Sequence, residues 1–158
     1  MPVVLYRVDE RLIHGQVVIG WGHELRPDRY IVVDDDIAES SWEQELYALG
    51  APEAEVLFTS IAQAREGLRM WHTEPVRSVL LTRTVAAMYA LLDGQGGHFD
   101  VNLGGLHAGS DRIPVLDYLH LTARDREDLD VLAGQGVTIS GRNLPDAPKV
   151  PLDTILSS

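Results

Sequence analysis

Short apolar runs alternate with helically spaced stretches along the whole chain, and this alternation limits the fold more than any other feature. Val3 to Val8 is continuously apolar apart from Arg7, short and partly β-branched, so it reads as a central strand rather than a helix. His14 to Leu25 follows, with Val17, Val18, Trp21 and Leu25 on one stripe at helical spacing. Arg29 to Asp34 reads as a second strand, and a helix from about Ser40 to Leu49 is expected with Trp42, Leu46 and Leu49 turned inward. A strand at Ala54 to Thr59 precedes a helix from Ser60 to Met70, capped by Thr59 or Ser60. Arg77 to Thr82 is a further strand and Val85 to Leu92 a further helix, then His98 to Leu103 and Val115 to Leu121 are short strands. Thr122, with Asp125 three residues on, opens a helix to Ala133, and Val137 to Ser140 is the last expected strand. Ile155 and Leu156 are placed to dock the terminus through a short helix.

Strands alternating with helices imply right-handed crossovers. The expected fold is α/β: a single domain over residues 1–158, three-layered and doubly wound, with a mainly parallel sheet and helices on both faces. Ligands of such sheets gather beyond the carboxyl ends of the strands, where the chain order changes direction. Chemistry is therefore sought in the loops after Val8, Val33, Thr82 and Val101.

Charge and composition remove several function classes. Lys plus Arg number 13 against 24 Asp plus Glu, a formal net charge of −11, which disfavours a general nucleic-acid binder. Cysteine is absent, excluding disulfides, thiolate catalysis and cysteine-ligated zinc. No metal site is expected, because no H-x-x-x-H or H-E-x-x-H pair surrounds His14. No cofactor is expected either: Gly94-Gln95-Gly96-Gly97 follows a helix, whereas a dinucleotide fingerprint follows a strand. The N-terminus lacks a secretory apolar region, and no apolar stretch reaches the roughly 18–20 residues of a spanning helix. The expectation is a cytoplasmic chain that meets a membrane only by docking to another protein.

The first loop, Arg7-Val8-Asp9-Glu10-Arg11-Leu12-Ile13-His14-Gly15-Gln16-Val17, concentrates two arginines, an acid and a histidine between the first strand and the first helix. His14 falls at the helix start, where unpaired N–H groups and the helix dipole favour an anion. Gly15 lets a bulky group approach the backbone. Arg11 can fold its planar fork over the same point, suited to phosphate oxygens. Asp9 can hold one imidazole nitrogen as N–H and leave the other as nucleophile. Together these residues describe a phosphoryl-accepting site. A solvated surface histidine is the plain alternative.

The run Arg7-x-Asp9-x-Arg11-Leu12-Ile13-His14-Gly15-Gln16-Val17, followed by Trp21, resembles the active-site signature of the phosphotransferase-system (PTS) IIB subunits of the mannose/fructose/sorbose family. The resemblance continues through Val32-Val33-Asp34-Asp35-Asp36-Ile37-Ala38, Val101-Asn102-Leu103-Gly104-Gly105-Leu106-His107, Gly136-Val137 and Leu144-Pro145, thus over essentially the full chain. It implies a relay. A IIA phosphohistidine donates its phosphoryl group to His14, at Nδ1, and His14 passes it to a sugar in the IIC/IID membrane permease. Arg11 would then stabilise the phosphoryl group and Asp9 shape the loop, while Gly15 and Gln16 bind beside it. The resemblance also places Asn102, Gly104 and Gly105 near the phosphohistidine, and Arg7 and Arg11 would steer an acidic partner toward an open, fairly flat rim. It leaves room for a homodimer and looks like a free-standing IIB. A regulatory phosphohistidine module without sugar transfer is the functional alternative, and a small nucleotide-binding domain is disfavoured by the missing P-loop.

The remaining candidates keep two readings each. Asp34, Asp35 and Asp36 either cap the next helix, with Asp35 or Asp36 at the N-cap, or form a Mg²⁺-binding pocket. The pocket is the poorer option because Lys149 is the single lysine and lies near the tail. Arg83, His107 and Arg142 follow strands and either add charge to the site or are solvated loop residues. His23, His72, His98 and His120 are assigned to packing or surface.

Overall fold

The computed structural model describes residues 3–157. In chain order the strands are β1 (Val3–Val8), β2 (Arg29–Val33), β3 (Glu55–Thr59), β4 (Ser78–Thr82), β5 (Asp100–Leu103), β6 (Ile113–Leu116), β7 (Leu119–Leu121), β8 (Thr138–Gly141) and β9 (Val150–Pro151). A seven-stranded sheet runs β3-β2-β4-β1-β5-β8-β9, parallel throughout except for the β8–β9 pair. The first helix begins as a π-wound segment, Gln16–Trp21, and continues as α1 (Gly22–Leu25). The later helices are α2 (Ser41–Leu49), α3 (Ile61–Thr73), α4 (Val85–Leu92), α5 (Ala123–Gly134) and α6 (Leu152–Leu156). Among the described residues no helix is long and apolar enough to cross a membrane.

Strand alternation divides the core in two. Tyr6, Val8, Val101 and Leu103 face the larger cluster, with Leu68 and Trp71 of α3, Met88 and Leu91 of α4, and Leu129 and Leu132 of α5. Tyr30, Val32, Val79 and Leu81 face the smaller one, with Leu12 and Ile13 of the loop after β1 and Val17 of the first helix. The connection leaving β1 thus packs on one face, and that leaving β5 packs on the other. The crevice between the carboxyl ends of β1 and β5 is the switch point, flanked by the loops that carry His14 and Gly104.

Local signals explain the boundaries. Ser60 accepts from the Gln63 amide while Gln63 reaches back to the Ser60 amide, and Thr122 and Asp125 form the same reciprocal cap. Three expectations fail. The stripe on α2 faces outward, with Trp42, Leu46 and Leu49 exposed by 69%, 58% and 78%. The helix is instead tied down by Gln44, whose amide donates to the Ile37 and Ala38 carbonyls, and by half-buried Tyr47. Val115 to Leu121 is not one strand: β6 and β7 pair as an antiparallel hairpin, since Asp117-Tyr118 reverses the chain. Nor is β8 last, because β9 pairs beside it and α6 buries Leu152 and Ile155 in the larger cluster.

The acidic triplet departs from expectation in part. Asp36 stands at the N-cap of the short 3₁₀ turn Ile37–Glu39, as one of the two expected positions, but makes no side-chain cap bond; Asp34 supplies it, its Oδ1 accepting from the Ile37 amide at 2.9 Å. Asp35 accepts from the Ile61 amide at 2.8 Å and so steadies the start of α3. Ile155→Ala is therefore expected to cost about 2–5 kcal/mol in urea unfolding. Trp42→Ala, on the outward face of α2, is expected to stay within about 0.5 kcal/mol of the parent.

Candidate functional site

Residues 7 and 9 straddle the end of β1, and everything else in the site is arranged around them. Arg7 pairs in register with Asn102 of β5, and alternation turns both away from the larger core toward the first helix. Arg7 is fully buried. Its guanidinium donates to Asp9 Oδ2 from Nε at 3.2 Å and from Nη2 at 3.1 Å. It also donates to Asn102 Oδ1 and to the carbonyls of Arg142 (2.9 Å) and Asn143 (3.1 Å). The Trp21 ring lies 5.3 Å from its central carbon, and the Trp21 indole donates to the Asn143 carbonyl. A side chain at Gly104 would collide with the Arg7 guanidinium, which is why this position has none.

Asp9 is equally buried. Besides Arg7 it receives the Arg11 amide at 3.1 Å through Oδ1, and its Oδ2 lies 2.9 Å from His14 Nε2. Burial pushes the Asp9 pKa up. The contact with His14, the charge of Arg7 and the Arg11 amide outweigh that, and the net shift is downward. Asp9 is thus an anion held between a fixed cation and an imidazole.

His14 marks the helix start, its carbonyl accepting from the Val17 and Val18 amides. The ring is 12% exposed, and neither nitrogen is open to solvent. Nε2 faces Asp9, off the axis of a straight hydrogen bond, and Nδ1 has no partner among the described residues. Because Nε2 faces the one acceptor near the ring among the described residues, the proton belongs there and the lone pair belongs to Nδ1. The expected open rim is therefore not what this conformation presents. Leu12, in the same loop, adopts φ 55°, a left-handed backbone that β-carbon-bearing residues adopt at a cost and that clusters at working sites.

The other candidates separate into two groups. Arg11 is exposed and its guanidinium has no partner among the described residues, while exposed Gly15 has nothing within 4 Å of where a β-carbon would stand. Gln16 is half-buried in the first turn beside them. Arg7 is different: sealed from solvent, it cannot steer a partner, because its donors are spent inside the protein. Asn102 and Gly104 likewise serve Arg7, and Gly105 supplies the carbonyl that accepts from the Glu10 amide at 2.9 Å. Arg83 turns to Asp34, with contacts of 2.8 and 3.2 Å, and is not brought to His14 by any of these contacts. His107 pairs with Glu10, which also accepts from Arg112 at 2.8 Å, so the segment after β5 is clasped to the loop after β1. That clasp escaped sequence reasoning for want of any signal at Arg112. Glu10, within the motif, was the available hint. Among the described residues no three His, Asp or Glu side chains gather as a metal site.

The family model for the PTS system sorbose subfamily IIB component matches residues 3–158. The chain belongs to that family. It is 29% identical over 146 residues to the fructose-specific EIIB component of Bacillus subtilis, covering 92% of this chain and 90% of that protein. It is 26% identical over 160 residues to the mannose-specific EIIAB component of Escherichia coli, covering 99% of this chain but 49% of that longer protein. In three dimensions it matches the IIBSor domain of the sorbose permease from Klebsiella pneumoniae with a TM-score of 0.88, at 24% identity and with 100% and 98% of the two chains covered, a likeness of fold. The IIB fold thus carries the Arg7–Asp9–His14 arrangement at its switch point.

Two consequences can be measured. With its folded pKa depressed, ionised Asp9 stabilises the protein at pH values above the unfolded carboxylate pKa of about 4, and this is lost as pH falls through the folded value. Asp9→Asn should therefore flatten the fall of stability with acid that urea titrations show for the parent. Arg7→Met removes the cation and leaves Asp9 buried without it, with an expected loss of about 3–5 kcal/mol.

Proposed function

We propose that the chain is a cytoplasmic phosphoryl carrier of a PTS, accepting the group from a IIA phosphohistidine on His14 and passing it to a sugar in a IIC/IID permease. The observation that carries this reading is the imidazole at a helix start, with Nε2 against a buried anion and Nδ1 unpartnered among the described residues. In the first step the Nδ1 lone pair forms a bond to phosphorus as the donor's P–N bond breaks. The Nε2 proton stays opposite Asp9, whose charge offsets the cationic character the ring gains. In the second step a sugar hydroxyl oxygen bonds to phosphorus, the His14 P–N bond breaks, and the hydroxyl proton leaves to a base. Nδ1 is thereby regenerated.

Such transfers need positioning and charge neutralisation more than covalent assistance. The unpartnered Arg11 guanidinium, the first amides of the helix and the open space above Gly15 support a phosphoryl group at this point. Since Nδ1 is shielded, transfer includes a movement of the ring or of the Glu10–Gly15 loop, and the strained Leu12 backbone is the place where that movement relieves strain.

Incubation with phosphoenolpyruvate, enzyme I, the histidine carrier protein and a cognate IIA should place acid-labile, base-stable label on the wild type and none on His14→Ala. Label surviving in His14→Ala would refute the carrier role. Arg11→Ala should slow transfer by about 10²–10³-fold, and unfold within about 0.5 kcal/mol of the parent. Equal losses in rate and stability would make Arg11 a structural residue.

A further inference from the structure

The far end of the first helix holds a second concave feature that the relay does not use. A cleft of about 570 Å³ lies between α1, the start of β2 and the loop leading into β3. That volume falls in the roughly 300–1,000 Å³ range of small-molecule sites. At its wall stands Tyr30, only 2% exposed, whose hydroxyl has no hydrogen-bond partner among the described residues. The ring is buried, while the hydroxyl oxygen itself opens to the cleft, where a guest can reach it. Burial raises the Tyr30 pKa, so the phenol keeps its proton at neutral pH. The hydroxyl lies against Gly22, where a β-carbon would stand 2.6 Å from it. Any larger residue at position 22 would crowd that oxygen.

The charged groups at the cleft are exposed. Arg26 closes α1 in a left-handed conformation, φ 49° and ψ 60°, and its guanidinium has no partner among the described residues despite the chain's excess of acid. His23, one turn back, adds a second nitrogen donor and is also without a partner there. Glu53 lines the cleft yet pairs with neither. The walls between them are apolar, from Ile19 and Pro52 among others.

We propose that this cleft binds a small polyhydroxylated oxyanion, a sugar phosphate or a sugar acid. Arg26 and His23 take the oxyanion. Tyr30 donates to the same group or to a neighbouring oxygen, Glu53 accepts from hydroxyls, and the apolar walls take the carbon face of the molecule. A bare inorganic anion leaves Glu53 and the walls without a partner, so the hydroxylated body is part of the recognition. The site is separate from His14, at the opposite end of the first helix, and does not rest on the relay.

The test is amide NMR on the isotope-labelled full chain, titrated with glucose 6-phosphate and with gluconate, with glucose and inorganic phosphate alongside. The His14→Ala protein is run in parallel, so that the outcome is independent of phosphoryl transfer. Saturable shifts at Gly22, Arg26 and Tyr30 are expected with at least one of the two hydroxylated anions, in both proteins, and preference between them identifies the anion as phosphate ester or carboxylate. Arg26→Gln should weaken binding about tenfold or more and Tyr30→Phe several-fold, on the scale of hydrogen bonds to charged groups. Glu53→Gln should weaken the hydroxylated anions and leave inorganic phosphate unchanged. The proposal is overturned by absence of saturation at millimolar ligand, by shifts confined to Gly15–Val17, by equal affinity for inorganic phosphate, or by unchanged affinity in all three variants.

Discussion

A single buried ion pair, Arg7 with Asp9, organises the working end of this molecule. Removing two charges from water is expensive, and the structure answers by saturating both. Arg7 reaches Asp9, Asn102 and two carbonyls of the segment after β8, beneath the Trp21 ring. Asp9 collects Arg7, the Arg11 amide and the His14 ring. One interaction thereby fastens β1, β5, the first helix and the chain after β8 to a common point. The histidine is then oriented by a group that cannot itself move.

This arrangement separates two duties that a motif full of charges leaves mixed. The interior arginine holds the scaffold, and the exposed Arg11 is left with its fork unengaged at the helix start. The second clasp, from Glu10 to Arg112 and His107, works at the rim, where exposure and salt weaken such pairs. Deep contacts therefore set position, and shallow ones leave the loop able to shift.

Sequence reasoning reached the architecture because strand and helix periods differ and because caps are local. Ser60 with Gln63 and Thr122 with Asp125 can be read within four residues. His14 was legible for the same reason, since its strand, turn and helix are contiguous. Arg7 was misjudged because an arginine beside a loop reads as solvated, and the partners that bury it, Asn102 and the carbonyls of Arg142 and Asn143, lie 95, 135 and 136 residues away. The cap bond from Asp34 was missed for want of a view of Arg83, which holds that carboxylate from the loop after β4. The α2 stripe misled because helical spacing reports that an apolar face exists without saying what covers it.

The shielding of the His14 nitrogens bears on how long a carrier can wait. A phosphorus–nitrogen bond is spontaneously lost to water, so an acceptor that lay open between partners would leak its cargo. In the proposed relay the unphosphorylated imidazole, recessed against Asp9, stays out of reach of solvent until a partner shifts the loop. Fidelity in such a relay is then a matter of access rather than of reactivity.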